Sequence, residues 1–212
     1  MRRYHYRRAW REICLVALAI VAGCTGHQDE RTSRLATSEQ SATAGAADAF
    51  DLNGNSFDPL RQGSSKVTVL IFTRTDCPIS NRFAPEIGRL YEAFHPRGVD
   101  FYLVYVDPHE EPQAIRRHLA EYRYPCPAVR DPGHKLVARC QATTTPEAVV
   151  FDADHEVTYQ GRINDLYVDL GSSRPRATTS DLADAIDATL AGRPVDNPRT
   201  KPVGCLIADL KQ

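Results

Sequence analysis

The chain has 212 residues, of which 42% are hydrophobic and 25% charged, with 26 Lys+Arg against 27 Asp+Glu and a formal net charge of −1. This is ordinary globular composition, enough for one domain with a full hydrophobic core. It excludes the basic footprint of a nucleic-acid-binding protein, and no internal repeat is visible.

At the N-terminus, Arg2, Arg3, Arg7, Arg8 and Arg11 precede an apolar run, Ile13 to Ala22. The run is about half the roughly 20 residues that a spanning helix needs, so residues 1–23 read as a signal peptide. It ends Val21-Ala22-Gly23-Cys24, and small residues directly before a cysteine resemble the bacterial lipobox. That resemblance implies cleavage before Cys24, acylation of its thiol, and a domain held by lipid to a membrane on the periplasmic side of the cell envelope. Thr25 follows, where Asp would signal inner-membrane retention. Removing residues 1–23, with five arginines and one glutamate, leaves 21 basic against 26 acidic side chains, a net charge of −5.

Residues 24–47 are Ser, Thr, Ala, Gln and charge, the composition of a disordered linker. The domain, 48–191, opens with Asn53-Gly54 between apolar residues, a hairpin signal. Lys66 to Thr73 is a nearly continuous β-branched and apolar run, expected for a strand buried on both faces of a parallel sheet. Phe83, Ile87, Leu90, Tyr91 and Phe94 then recur at helical spacing up to Pro96, and Val99 to Val106 is a second buried strand. Glu111 to Tyr122 predicts an amphipathic helix with Ala114, Ile115, Leu119 and Tyr122 inward. A short strand at Cys126 to Arg130, a brief helix from Lys135 to Cys140, and a hairpin of Ala148–Phe151 with Glu156–Tyr159 follow. A last helix spans about Asp181 to Ala191, stopped by Gly192. Residues 192–212 form a Pro-rich, charged tail that carries Cys205. The alternation predicts an α/β fold with helices flanking a central sheet.

Setting aside Cys14 in the signal and Cys24, four cysteines remain: Cys77, Cys126, Cys140 and Cys205. They are too few for a disulfide scaffold and lack the paired spacing of structural zinc, so no metal or cofactor is expected. Cys77 stands in Thr75-Asp-Cys-Pro-Ile-Ser80, a break between a buried strand and a helix. A thiol there sits at the positive N-terminal end of a helix, which favours thiolate over a free thiol of pKa ~8.5. Arg74 is placed to assist, Asp76 to oppose. Ser80 either hydrogen-bonds the thiolate or caps the helix. His109, His118, His134 and His155 stand in polar or turn contexts and read as solvated.

The order strand-Cys-helix and later Thr145-Pro146-strand resembles the thioredoxin-like superfamily over residues 48–191. The resemblance implies a mixed sheet flanked by helices, with Pro146 cis beside Cys77 and the Thr145 backbone free to pair with an extended substrate. Phe72 to Tyr91 looks like the corresponding segment of membrane-tethered TlpA-type thiol reductases and of peroxiredoxin-like redoxins (AhpC/TSA type). Ser80 replaces the second cysteine of the reductases. Leu70 and Arg74 replace the Pro and Thr/Ser of the peroxiredoxin Pro-x-x-x-Thr/Ser-x-x-Cys. In the tail, Thr200-Lys-Pro-Val-Gly-Cys-Leu-Ile207 is similar to the C-terminal Thr-(Lys/Arg)-Pro-x-x-Gly-Cys-x-Ile of a bacterial peroxiredoxin-like group.

These resemblances imply a thiol oxidoreductase in which Cys77 attacks a protein disulfide or a peroxide, reduced in turn by an unidentified electron donor. A cysteine on a mobile tail is suited to attack a Cys77 sulfenic acid or mixed disulfide, so Cys205 is the expected resolving partner and Cys126 the alternative. Cys140 reads as core. Two other functions fit the same fold. One is a copper-delivery chaperone, which would have to recruit Cys205 or a distant His. The other is a redox-inert binding module using the Thr145-Pro146 edge.

Overall fold

The computed structural model describes residues 49–61 and 65–208, so the expected signal peptide, Cys24 and the linker lie outside the described residues. Five strands form the central sheet in the order β3-β2-β1-β5-β6. The innermost, β1 (Val67–Thr73), is buried at every position, and it pairs parallel to β2 (Val99–Tyr105) and antiparallel to β5 (Glu147–Phe151). β3 (Ala128–Arg130) extends the parallel half, and β6 (Val157–Gly161) returns antiparallel on β5. The sheet is therefore mixed, as the expected fold class requires.

The two-residue period of a strand assigns alternate side chains to two cores. Val67, Val69 and Ile71 join Phe101 and Val150 on one face, while Leu70 and Phe72 join Val104 and Val149 on the other. Each such side chain, fully buried, contributes about 1.5–3 kcal/mol. The first face is covered by α2 (Ala84–Phe94), by Ile115 of α3 (Pro112–Tyr122) and by α5 (Asp181–Leu190). The second is covered by α4 (Lys135–Cys140) and the segment around Leu60.

The helix expected after Cys77 is interrupted. α1 (Pro78–Arg82) stops at Phe83 and α2 starts at Ala84, because Pro85 has no N–H with which to continue the ladder. The expected N-terminal hairpin reduces to one antiparallel bridge, Phe50 with Ser56, closed by Asp51 Oδ1 accepting from the backbone of Asn53 and Asn55 at 2.8 Å. Phe50 also bridges Arg130, covering the exposed edge of β3. A small hairpin that periodicity did not reveal, β7 (Tyr167–Asp169) with β8 (Ser172–Ser173), precedes α5.

The tail corrects a further expectation, since its described residues dock on two strand edges and are not a mobile segment. Gln160 N–H donates to Pro198 O at 2.9 Å and Thr200 N–H to Gln160 O at 3.1 Å, fixing the tail to the free edge of β6. Gly161 lets Thr200 lie directly on the strand, where a methyl group would overlap the Thr200 backbone. Further on, β9 (Cys205–Leu206) pairs antiparallel with the two-residue strand β4 (Thr144–Thr145).

Buried Glu147 ties these pieces together. Its carboxylate accepts from Thr143 N–H at 2.8 Å, Thr144 N–H at 3.2 Å and Gln160 Nε2 at 2.6 Å, joining the β4 segment to β6. Glu147→Ala strands those donors and is expected to lower unfolding stability by about 2 kcal/mol. Urea denaturation checks this; a loss under about 0.5 kcal/mol would show that the network carries little.

Candidate functional site

Cys77 sits where β1 leaves the sheet. Its backbone is extended, φ −84° and ψ 106°, and it is the N-cap of α1, with Pro78 as the first helical residue. In place of the usual cap oxygen the sulfur accepts the Ser80 N–H, at 3.5 Å. With the helix broken at Phe83, stabilisation of a thiolate comes from this N–H and close neighbours more than from a long helix dipole.

Those neighbours are Thr145 and Cys205. The Thr145–Pro146 peptide is cis, and as a thiol Cys77 donates to Thr145 O at 3.1 Å. The Cys77 and Cys205 sulfurs stand 2.8 Å apart, although 128 positions separate them in the chain. Cys77 has no exposed surface, whereas Cys205 is half-buried. Burial pushes the Cys77 thiol up, but hydrogen bonding by Cys205 and Ser80 outweighs it and brings the thiol below its ordinary value. Cys205 moves the other way, to about 11, through burial, its hydrogen bond to Cys77 and the charge that Cys77 acquires. One sulfur is thus biased to ionise and its neighbour to keep its proton.

The remaining expected residues divide. Ser80 is buried beside the sulfur, to which its backbone N–H donates at 3.5 Å, and its side chain and N–H both help to hold the Cys77 thiol down. Arg74 is spent on Asp76 at 2.9 Å and Asp107 at 3.3 Å, so its charge reaches the sulfurs already compensated. Cys126 is buried in the core with its thiol pushed up to about 12 by desolvation, and the sulfur that meets Cys77 is that of Cys205. Cys140 is likewise buried and raised to about 12. Among the described residues no cluster of three or more His, Cys, Asp or Glu side chains has metal-ligand geometry.

Sequence reasoning missed the groups that hold the active loop. Glu110 accepts from Thr75 N–H at 2.6 Å and Thr75 Oγ1 at 2.7 Å, and burial raises its carboxyl above the ordinary range. Asn81 Nδ2 donates to Thr75 O at 2.9 Å, which leaves its Oδ1 to accept from His118 Nε2 at 2.7 Å. His118 Nδ1 then accepts from Tyr105 OH at 2.8 Å. His118 is therefore buried, contrary to its solvated reading, and desolvation lowers its pKa, which favours the neutral ring. Its position one turn past Ile115 on the inner face of α3 was the available signal.

The AhpC/TSA family matches residues 43–160. No curated protein sequence matches the chain. A conserved protein from Geobacillus kaustophilus superposes with a TM-score of 0.66 at 26% identity, over 78% of this chain and 91% of that one. A hypothetical protein from Sinorhizobium meliloti 1021 gives 0.66 at 20% identity over 77% and 91%. The thioredoxin domain of a thiol-disulfide oxidoreductase from Bacteroides vulgatus gives 0.50 at 16% identity over 67% and 91%, a likeness of fold. Together with the buried Cys77 at a strand-to-helix turn and the cis Thr145–Pro146 bond, these matches establish that the chain has a thioredoxin-like fold and belongs to the AhpC/TSA family.

Proposed function

We propose that this protein is a thiol–disulfide oxidoreductase that uses Cys77 as nucleophile and Cys205 as resolving thiol. The observation that carries this reading is the 2.8 Å approach of two sulfurs whose proton affinities are driven apart, Cys77 down and Cys205 up.

The chemistry proceeds in two exchanges. The Cys77 thiolate attacks one sulfur of a polypeptide disulfide, forms a mixed disulfide, and expels the other sulfur as a thiolate that takes up a proton. The negative charge at Cys77 is then gone, and with it the hydrogen bond and the charge by which Cys77 held the Cys205 proton, leaving burial and Asp76. Cys205 ionises more readily and attacks the Cys77 sulfur, releasing the second substrate thiol and leaving a Cys77–Cys205 disulfide. Two electrons pass from the cysteine pair to the substrate, and an external dithiol must restore them. Because Ser80 occupies the place of a second loop cysteine, the partner has to come from elsewhere in the chain.

Family membership favours a peroxide as the alternative oxidant. A peroxide would convert Cys77 to a sulfenic acid that Cys205 resolves to the same disulfide with loss of water. In the same reading the domain works outside the cytoplasm on a lipid anchor, which the N-terminal Arg-rich apolar segment and Cys24 support. Among the described residues no helix is long and apolar enough to cross a membrane.

Three variants test the assignment. Cys77→Ser is expected to abolish reduction of a model protein disulfide. Cys205→Ser should retain the first exchange, accumulate the Cys77 mixed disulfide in mass spectra, and lose turnover at least 100-fold; wild-type turnover in either variant contradicts the roles. Thiolate absorbance followed against pH should give Cys77 a midpoint below the ordinary ~8.5. The thiolate appears as pH rises through that lowered value, so Cys205→Ala, which removes the donor, should move the midpoint upward. A midpoint that stays in place would show that Cys205 does not stabilise the thiolate.

A further inference from the structure

The edge of β4, beside the reactive cysteine, is taken by the chain's own tail. Thr144 and Thr145 pair with Leu206 and Cys205, Ile207 N–H donates to Thr143 O at 2.9 Å, and Thr145 Oγ1 donates to Cys205 O at 3.4 Å. With the tail in place Cys77 has no exposed surface. Cys205 is in contact with Cys77, and Leu206 beside it stays 76% exposed.

The fit depends on Gly204. A side-chain carbon there would overlap the Thr145 carbonyl and crowd Pro146 N, all of it backbone that cannot swing aside. The tail is also held from a second point. Thr200 Oγ1 meets Tyr159 OH at 2.6 Å and accepts Arg162 N–H at 3.0 Å, so residues beyond 200 can lift from β4 while the segment before them stays anchored.

On the proposed thiol-exchange function, we propose that residues 203–207 are a tethered pseudo-substrate. They fill the edge at β4, and an external substrate must be an extended segment with glycine immediately before its cysteine, which displaces them in the same register until the Cys77 mixed disulfide has formed; the tail then returns and brings Cys205 back onto Cys77. Oxidation of the pair fastens the occupant covalently and closes the edge to polypeptides; reduction lets it lift. The protein thereby separates substrates by size and backbone shape before any chemistry occurs. The residue after the cysteine faces solvent in this register and is left unselected, as exposed Leu206 illustrates.

Alkylation of Cys77 by iodoacetamide, quantified by peptide mass spectrometry on the reduced full chain at a pH well above the ordinary thiol value of ~8.5, where Cys77 ionises with or without its Cys205 donor, reads the occupancy directly. Gly204→Ala, with both thiols intact, is expected to raise the Cys77 rate at least tenfold. A peptide of residues 199–208 carrying Cys205→Ser should restore slow alkylation to that variant, and the same peptide with Gly204→Ala should not. Thr200→Ala, which adds no bulk, should give a smaller rise of a few-fold and serves if Gly204→Ala does not fold. An unchanged Cys77 rate in the folded Gly204→Ala chain, or in Thr200→Ala where that variant has to serve, overturns the proposal. Equal protection by the two peptides does the same. Exchange with a model protein disulfide in the same samples keeps the questions apart. If no form exchanges, the oxidoreductase reading fails while alkylation still decides the gate; if wild type exchanges and alkylation is unchanged in the variant, the gate alone fails.

Discussion

Two residues of the tail, Cys205 and Leu206, lie antiparallel to Thr145 and Thr144, and the placement of the site depends on this short ladder. A lone two-residue pairing is too small to persist in water. It holds here because the tail is first captured on β6 through Gln160 and Thr200, which shortens the span left to close. Glu147 holds the partner strand from beneath by accepting the Thr143 and Thr144 N–H groups. Remove the pairing, and Cys77 keeps its loop but loses its donor, its cover and its second sulfur together. A covalent link across 128 positions would also restrict the unfolded chain, a gain of about 5 kcal/mol in the loop-entropy picture. Oxidation state and global stability are thus coupled through the same contact.

The loop that carries Cys77 is built to resist displacement when the tail lifts. Thr75 is held through its N–H and hydroxyl by Glu110, and through its carbonyl by Asn81, which is itself oriented by His118 and Tyr105. The chain from Tyr105 to Thr75 works with His118 neutral. Its folded-state pKa is depressed by burial, so this network contributes stability above the unfolded value near 6.5 that is lost as pH falls toward the depressed one. Arg74, three residues before Cys77, is shared between Asp76 and Asp107. Thiolate stabilisation therefore falls to neutral neighbours, namely the Cys205 thiol and Ser80.

Much of the fold was legible because it is written in periodicity. The run Val67–Thr73, the spacing of Phe83 to Phe94, and Leu182, Ile186 and Leu190 each carry a strong local signal, and the corresponding elements form. The break at Phe83 was legible in principle from Pro85, but the apolar spacing continues across it and hides it. The cis bond at Pro146 came from resemblance, since no local property of Thr-Thr-Pro distinguishes it. The tail misled for a physical reason. Pro-rich, charged composition signals a chain that cannot bury enough surface to order itself, and here order comes from backbone hydrogen bonds to two strand edges, which composition does not encode. Gly161 and Gly204 were the traces of it, because each marks where another backbone approaches too closely for a side chain. His118 was misread because one polar residue on an amphipathic helix looks solvated until the tyrosines and Asn81 that enclose it are known.

The pairing of Cys77 with Cys205 is the claim on which the rest stands, and equilibrium oxidation tests it most directly. Equilibrating the full chain in glutathione buffers of graded potential, trapping with acid and mapping disulfides by mass spectrometry should yield one two-electron transition. Its only product should be the Cys77–Cys205 bond, with Cys126 and Cys140 remaining free thiols throughout. A disulfide joining Cys77 to Cys126, or no intramolecular bond at any potential, would contradict the account.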